Sequence, residues 1–491
     1  MSRVVVMGGG VGGLAVAARL ARMRHEVTLL ERSETVGGKL GEWRHEGFRF
    51  DTGPSLVTLP ATLRDLFLKT GRPLEESLDL QPLDVLAHYR FPDGTQMDVP
   101  NDGVTSIARA FQDALGGSSG NDWTRFHGRA ERLWAIARGP FVESALDGPG
   151  TLMSLAARRP ADLWRIAPWR TLRDVGRQSF RDPRQRLFLD RYATYTGSDP
   201  RRAPAVLSVV PYVEHSFRGW YVSGGLRRIA EAIRNRAVER KVRIMCGAEV
   251  ARLSTSGDRI DGVVLVDGTR VDADVVVSDV DASRLYGTLL PRPDLLRPVQ
   301  QATPSLSGFV LLLALRGRTP GLRHHTVLFG TDYDAEMDAV FGPDARPVDD
   351  PTIYISAPPD AAPEGDEAWF VLVNAPRHGT GAGCVDWDAA GVAPAYAQRV
   401  LDLLAARGLD VRDRLLSARH LSPADLERET ASPGGAIYGT SSNGWRAAFL
   451  RPRNRSPVPG LFLVGGSAHP GGGLPMVLMS AAIAADIIGR A

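Results

Sequence analysis

The chain has 491 residues, more than a single hydrophobic core supports, so two or more domains are expected. Its composition is that of a water-soluble globular protein, and a net charge of only +3 argues against a general nucleic-acid binder. Cys246 and Cys384 lie far apart and form no C-x-x-C, which excludes a disulfide framework or a cysteine-based zinc site and fits a cytoplasmic chain.

The first thirty residues read as strand, glycine loop, helix, strand and acid. Arg3-Val4-Val5-Val6-Met7 is a β-branched run that opens the chain directly and leaves no room for a signal peptide. Gly8, Gly10 and Gly13 follow in the G-x-G-x-x-G spacing. The first permits a tight turn, the second lets backbone approach a pyrophosphate, and the third lets the helix pack closely on the strand. The Ala- and Leu-rich residues 14–22 form the helix, and its N-terminus is the anion site. Glu26-Val27-Thr28-Leu29-Leu30 is the second strand. It ends at Glu31, where an acid accepts hydrogen bonds from a ribose diol and disfavours the extra phosphate of NADP.

Val36-Gly37-Gly38-Lys39-Leu40-Gly41 is a second glycine pair that a plain NAD unit does not require. Flavin enzymes of the glutathione-reductase type carry such a Gly-Gly-Lys loop across the FAD, with the cation near its phosphates. Phe48-Arg49-Phe50-Asp51-Thr52-Gly53-Pro54-Ser55 resembles the segment beside the flavin ring in amine-oxidase-like flavoproteins, and the two signals together move the cofactor from NAD to FAD.

Beyond residue 56 the pattern turns helical over 61–70 and 104–115, with a hairpin over 86–99 turning at Pro92-Asp93-Gly94. Residues 153–172 mix apolar side chains with Arg158, Arg159, Arg165, Arg170, Trp164 and Trp169. Such a surface can sit at a membrane interface; the plainer reading is a helix packed on its own domain with Arg on the wet side. A helix is expected over 227–240. Strands follow around Val250 (which in such proteins touches the adenine end of FAD), over 259–266 and over 271–277. Apolar strands at 305–315, 352–356 and 369–373 suggest an antiparallel substrate-binding sheet. The strand Leu461-Phe462-Leu463-Val464 then leads into Gly465-Gly466-Ser467-Ala468-His469-Pro470-Gly471-Gly472-Gly473-Leu474-Pro475-Met476-Val477 and an Ala-rich helix, a second anion-cradling corner.

With these pieces the chain resembles the bacterial phytoene desaturases and related carotenoid oxidoreductases. The resemblance rests on the N-terminal glycine loop with Glu31, on Gly37-Gly38-Lys39, on Phe50-Asp51-Thr52-Gly53-Pro54 and on residues 219–226. It extends through His324-His325-Thr326-Val327, Ile353-Tyr354, Phe449 to Arg455 and, most specifically, His469-Pro470-Gly471-Gly472-Gly473-Leu474-Pro475. Pro475-Met476-Val477 is closer to the hydroxycarotenoid 3,4-desaturase branch than to the Pro-Gly-Val of most phytoene desaturases.

The fold implied is α/β, with a Rossmann-type FAD domain built from discontinuous segments (1–80, 211–304 and 441–491). An α+β substrate domain is expected over 305–440 and a helical, membrane-facing part over 81–210. The implied cofactor is FAD, held by Gly8, Gly10, Gly13, Glu31, Gly38, Lys39, Gly53, Pro54, Ser55, Val250, Gly465, Met476 and Val477. The implied substrate is a long apolar polyene, which loses a hydride to the flavin and a proton. The resemblance further implies peripheral attachment to the inner face of the cell membrane, and oxygen or a quinone as electron acceptor. His469 is the candidate base, with Arg170 and Arg453 of lower weight. His324-His325 is read as structural, because neighbours in a strand point to opposite faces, and no metal site is expected. A redox-neutral carotenoid isomerase and a non-catalytic flavin-containing carotenoid binder share the same motifs and stay open.

Overall fold

The computed structural model describes residues 1–145, 160–444 and 446–491. Its first sheet is parallel, in the order Arg243–Met245, Glu26–Leu30, Arg3–Met7, Val275–Ser278, Leu461–Leu463. Strands from the start, middle and end of the chain therefore sit side by side. The central strand, Arg3–Met7, is covered on both faces and is apolar at every position after Arg3. The helix Val11–Arg22 is nearly all buried, and its small residues Ala15, Ala17 and Ala18 let it pack against the helices Arg227–Glu239 and Leu474–Ile488. A three-stranded antiparallel meander, Val250–Ser256, Arg259–Leu265 and Arg270–Asp272, lies beside this sheet. The single strand expected over 271–277 is two strands in two sheets: Arg270–Asp272 closes the meander and Val275–Ser278 joins the parallel sheet.

The second sheet has seven strands, in the order Leu415–Leu421, Ser307–Leu315, Glu367–Ala375, Ile353–Ser356, His325–Leu328, Val85–Arg90, Gln96–Pro100. It is antiparallel except where His325–Leu328 meets Val85–Arg90. The hairpin from the segment 81–210 thus belongs to this sheet, so that segment supplies strands as well as helices. Ser307–Leu315 is buried at all its positions. Phe309, Leu311 and Leu313 pack on the helix Val392–Ala406, while Val310, Leu312 and Ala314 face Phe48 and Phe50.

A third body is helical. Val104–Leu115, Ser119–Arg138, Leu172–Ser179, Pro183–Arg191 and Val209–Phe217 enclose an aromatic core around the fully buried Trp123. The Trp- and Arg-bearing stretch 153–172 lies partly outside the described residues. From Pro160–Ile166 onward, Trp164 and Trp169 are solvent-exposed and pack edge to face with ring centroids 4.9 Å apart. Among the described residues no helix is long and apolar enough to cross a membrane.

Candidate active site

Two carboxylates grip the N-terminal glycine loop. Glu31 Oε2 accepts the Gly9 N–H at 2.6 Å and Oε1 accepts the Ser33 N–H at 2.8 Å. Asp279, the first residue after Val275–Ser278, accepts the Gly13 N–H on Oδ2 at 2.9 Å. Gly8 turns the chain with φ near 98°, a left-handed conformation that glycine adopts without strain. The second glycine pair stacks on the first: the Gly37 N–H donates to the Gly9 carbonyl at 2.8 Å, and Gly37 pairs with Gly10. Burial pushes the Asp279 carboxyl up to about 7; Glu31 adds to the rise, while the Gly13 N–H and Lys39 oppose it. Lys39 is open to the enclosed space above this loop. Its ammonium donates to the carbonyls of Ala436 (3.0 Å) and Ile437 (2.7 Å), and enclosure lowers it to about 8.

A cavity of about 870 Å³ starts at this corner. Its first part is lined by backbone of Gly8, Gly10, Gly12, Gly37 and Gly38, by Glu31, and by residues Gly471 to Val477 at the N-terminus of the last helix. Two helix N-termini therefore present free N–H groups and positive dipole ends to one space. A Cβ at Gly10 or Gly12 would run into Asp279, so glycine keeps this floor flat. An elongated dinucleotide fits that shape and donor set.

The cavity continues past Gly53, Pro54 and Ser55 into an arm with apolar walls: Leu56, Trp134, Phe141, Val142, Ile166, Val206, Leu207, Val210 and Val213. Between the two parts lies a polar group. The Tyr354 hydroxyl is 2.5 Å from Ser55 Oγ and 2.6 Å from His325 Nδ1. Arg191 Nη1 donates to the hydroxyls of Tyr89 (3.2 Å) and Tyr195 (3.4 Å). Glu214 accepts from Tyr192 on Oε2 (2.5 Å) and from Tyr195 on Oε1 (3.0 Å). Burial raises the Glu214 carboxyl and holds His325 well below the usual imidazole value.

Gly8, Gly10, Glu31, Gly38, Lys39, Gly53, Pro54, Ser55, Val250, Met476 and Val477 line this one cavity. Gly13 and Gly465 sit behind it, packed on Asp279. The structure does not place His469 where a base would act. It is buried behind the wall, its Nε2 lies 2.9 Å from the Ser144 carbonyl, and burial lowers its imidazole to about 4. Arg170 is bonded to Gln178 at the exposed surface, and Arg453 is exposed; neither lines the cavity. The His324-His325 pair also departs from expectation. His324 precedes the strand His325–Leu328, so alternation does not govern it; the two rings lie 4.3 Å apart, and His325 lines the cavity. Among the described residues no group of three potential metal ligands forms.

Asp279 was legible in principle, as an acid directly after a β-branched strand. Arg191 and Glu214 carry no local signal, while His325 and Tyr354 lie in the His324 to Val327 and Ile353-Tyr354 motifs; the four come from separate segments that only packing brings together. Next to the lining residue Thr52, Asp51 accepts the N–H groups of Leu226 (3.0 Å) and Arg227 (3.2 Å), which explains the pairing of the Phe50-Asp51-Thr52 and Gly224-Gly225 motifs.

Residues 11–339 match the family model of flavin containing amine oxidoreductases. The chain is 33% identical to a 4,4'-diapolycopene oxygenase of Methylomonas sp, over 99% of this chain and 98% of that protein. It is 30% identical to a 1-hydroxycarotenoid 3,4-desaturase of Flavobacterium sp., over 99% of both chains. To a hydroxyneurosporene desaturase of Cereibacter sphaeroides it is 35% identical, over 99% of this chain and 97% of that one.

Proposed function

This chain belongs to the family of flavin containing amine oxidoreductases, and within it we propose an FAD-dependent desaturase of a carotenoid polyene. FAD is its cofactor, and the protein is an oxidoreductase. The observation that carries the substrate reading is the cavity itself: one end is a dinucleotide cradle and the other an apolar arm suited to a hydrocarbon.

Desaturation removes a hydride and a proton from neighbouring carbons, and bound FAD supplies the hydride acceptor. The chain's own part is to hold the polyene along the apolar arm, exclude water and take up the proton. A proton released beside Tyr354 has a path through its hydroxyl to His325 Nδ1 at 2.6 Å, an imidazole that burial keeps neutral. A conjugated cation is already a strong acid, so this weak acceptor suffices. Oxygen or a quinone reoxidising the flavin belongs to the same proposal. Anaerobic mixing of the flavin-loaded enzyme with acyclic carotenes tests it. Bleaching of the flavin together with a longer chromophore is expected. Cis–trans change without bleaching would replace the reading with an isomerase, binding alone would make the protein a carrier, and an oxygenated product under air would point to the oxygenase relative.

The enzyme meets such a substrate at a membrane surface. Trp164 is 72% exposed and Trp169 55% exposed, and between them Ile166 and Pro168 line the cavity. An exposed Trp pair beside a cavity wall suits a mouth resting in the headgroup region, where indole is favoured. Replacing both with Ser is expected to lower co-sedimentation with phospholipid vesicles at least about tenfold, equivalent to about 1.4 kcal/mol. Turnover of detergent-solubilised polyene should stay unchanged; unchanged sedimentation would sink the proposal.

Flavin affinity should depend on pH through Asp279. Its carboxyl lies at the helix end that draws the phosphates, so binding favours its protonated form. Above about 7 the FAD dissociation constant is expected to rise by up to about tenfold per pH unit, and Asp279→Asn should flatten that rise. The folded-state value lies above the ordinary 3.8, so Asp279 favours the flavin-free fold most below 3.8, and this contribution is gone above about 7. Titration by flavin fluorescence at several pH values checks the first part, and urea unfolding across the same range checks the second.

A further inference from the structure

The arm that would hold a hydrocarbon carries, at its inner end, two ionisable groups that a hydrocarbon does not need. Arg191 ends the helix Pro183–Arg191 and Glu214 lies in Val209–Phe217; both are buried, and both line the cavity. Among the described residues no carboxylate lies within ion-pair distance of the Arg191 guanidinium. Instead it faces the rings of Tyr89, Tyr195 and Tyr354 at 5.7, 5.4 and 5.8 Å, and its Nη1 donates to the hydroxyls of Tyr89 and Tyr195. Tyr195 links the two charges, accepting from Arg191 and donating to Glu214. Burying a guanidinium and a carboxylate without a direct pair is costly, and neighbouring apolar side chains of similar volume would be no less stable. Five elements hold this group together: those two helices, the short 3-10 helix Tyr192–Thr196 that carries Tyr195, the hairpin strand Val85–Arg90 that brings Tyr89, and the strand Ile353–Ser356 that brings Tyr354.

We infer that Arg191, Tyr195 and Glu214 form a polar subsite that holds an oxygen function at one end of the polyene. The inference rests on the polyene reading of the cavity and goes further by assigning the residues that would select, among acyclic polyenes, one bearing a terminal hydroxyl. The guanidinium donates to the alcohol oxygen, and the alcohol proton is accepted by the carboxylate or by the Tyr195 hydroxyl. The subsite adjoins Tyr354, whose hydroxyl bonds Ser55 in the turn beside the dinucleotide part of the cavity. An oxygen held there keeps the reacting bond within a few carbons of the chain end, as a 1-hydroxy-3,4-desaturation requires and a mid-chain desaturation does not. A site built to hydrogen-bond a hydroxyl rejects the analogue lacking it, because its own buried groups are left unpaired.

The test compares two acyclic C40 polyenes that differ only in a terminal tertiary hydroxyl. Anaerobic flavin bleaching gives kcat/KM, and quenching of tryptophan fluorescence gives binding. Wild type is expected to prefer the hydroxylated polyene by at least about 100-fold in kcat/KM and to bind it more tightly. Arg191→Leu should remove most of that preference by losing the hydroxylated substrate. Tyr195→Phe deletes a single hydroxyl, so it serves if the Arg191 variant does not fold, and it should reduce the preference roughly tenfold. Bleaching by both polyenes at equal rates would overturn the subsite and leave the desaturase standing. A preference that survives both substitutions would also overturn it. If neither polyene bleaches the flavin, the desaturase reading fails, and the binding difference alone decides the subsite: tighter binding of the alcohol that Tyr195→Phe abolishes supports it, and equal binding overturns it.

Discussion

Gly13→Ala is expected to yield a protein that loses its flavin on purification. In most helices this substitution is favourable by about 1 kcal/mol, because alanine restricts the unfolded chain. At Gly13 the added Cβ would be driven into the Gly8 carbonyl, which is backbone and cannot rotate away, with Asp279 close behind it. Helix and strand must part, and the N–H groups gripped by Asp279 and Glu31 move with them. Overpacking of this kind costs about 1–3 kcal/mol. Expressed in cofactor affinity, that is roughly a 5- to 150-fold rise in the FAD dissociation constant, measurable by flavin content and fluorescence titration. The same substitution at Gly128 is the control. Within Ser119–Arg138 a Cβ there would meet, among the described residues, only Arg132 Nη1, at 3.9 Å, so Gly128→Ala should stabilise the protein. If the Gly13 variant bound FAD as tightly as wild type, close helix–strand packing would not be the function of the third glycine.

Trp123→Ala is expected to destabilise the helical part by about 3–5 kcal/mol, the range for removing a large aromatic from a closed core. Trp123 is fully buried among Phe111, Phe126, Phe188 and His215, with ring centroids between 4.9 and 5.7 Å. The effect should reach the cavity. His215 neighbours Glu214 in sequence and bonds the Tyr192 hydroxyl at 3.1 Å, and Tyr192 in turn donates to Glu214. Flavin binding, which depends on the parallel sheet, should be spared, while polyene binding should weaken. Trp123→Phe keeps most of the packing and deletes an indole N–H that has no partner among the described residues, so its cost should fall below about 1.5 kcal/mol. Urea unfolding followed by circular dichroism, alongside flavin content, separates the two effects. A loss of flavin equal to the loss of polyene binding would mean that the helical part and the parallel sheet unfold as one unit.

The two ends of the cavity differ in how far their lining could be read. Gly8, Gly10, Glu31, Gly38 and Lys39 were legible because each acts through backbone geometry that a few neighbouring residues enforce: a turn, a close approach, the end of a strand. His469 shows the limit of such reading. Its place within a glycine-rich corner suggested chemistry, yet the chain turns its ring away from the cavity and toward the Ser144 carbonyl. His324-His325 shows another limit: His324 lies just outside the strand His325–Leu328, so alternation does not set its ring opposite that of His325, and His325 lines the cavity.

The sequence by itself determined the nucleotide corner, the helices 61–70 and 104–115, and the apolar strands, because these follow from local periodicity and from glycine spacing. The resemblance already implied one domain from segments 1–80, 211–304 and 441–491, but the order in which strands 3–7, 275–278 and 461–463 pair was decided by tertiary structure, and so was the joining of the hairpin 85–100 to the seven-stranded sheet. Asp279 on the glycine loop and Arg191, Tyr195 and Glu214 in the apolar arm belong to the same class. Their roles arise from desolvation and from partners on other elements, 266 residues away for Asp279 and Gly13 and 102 for Arg191 and Tyr89, and burial of a charge is a property of the folded whole rather than of any local pattern.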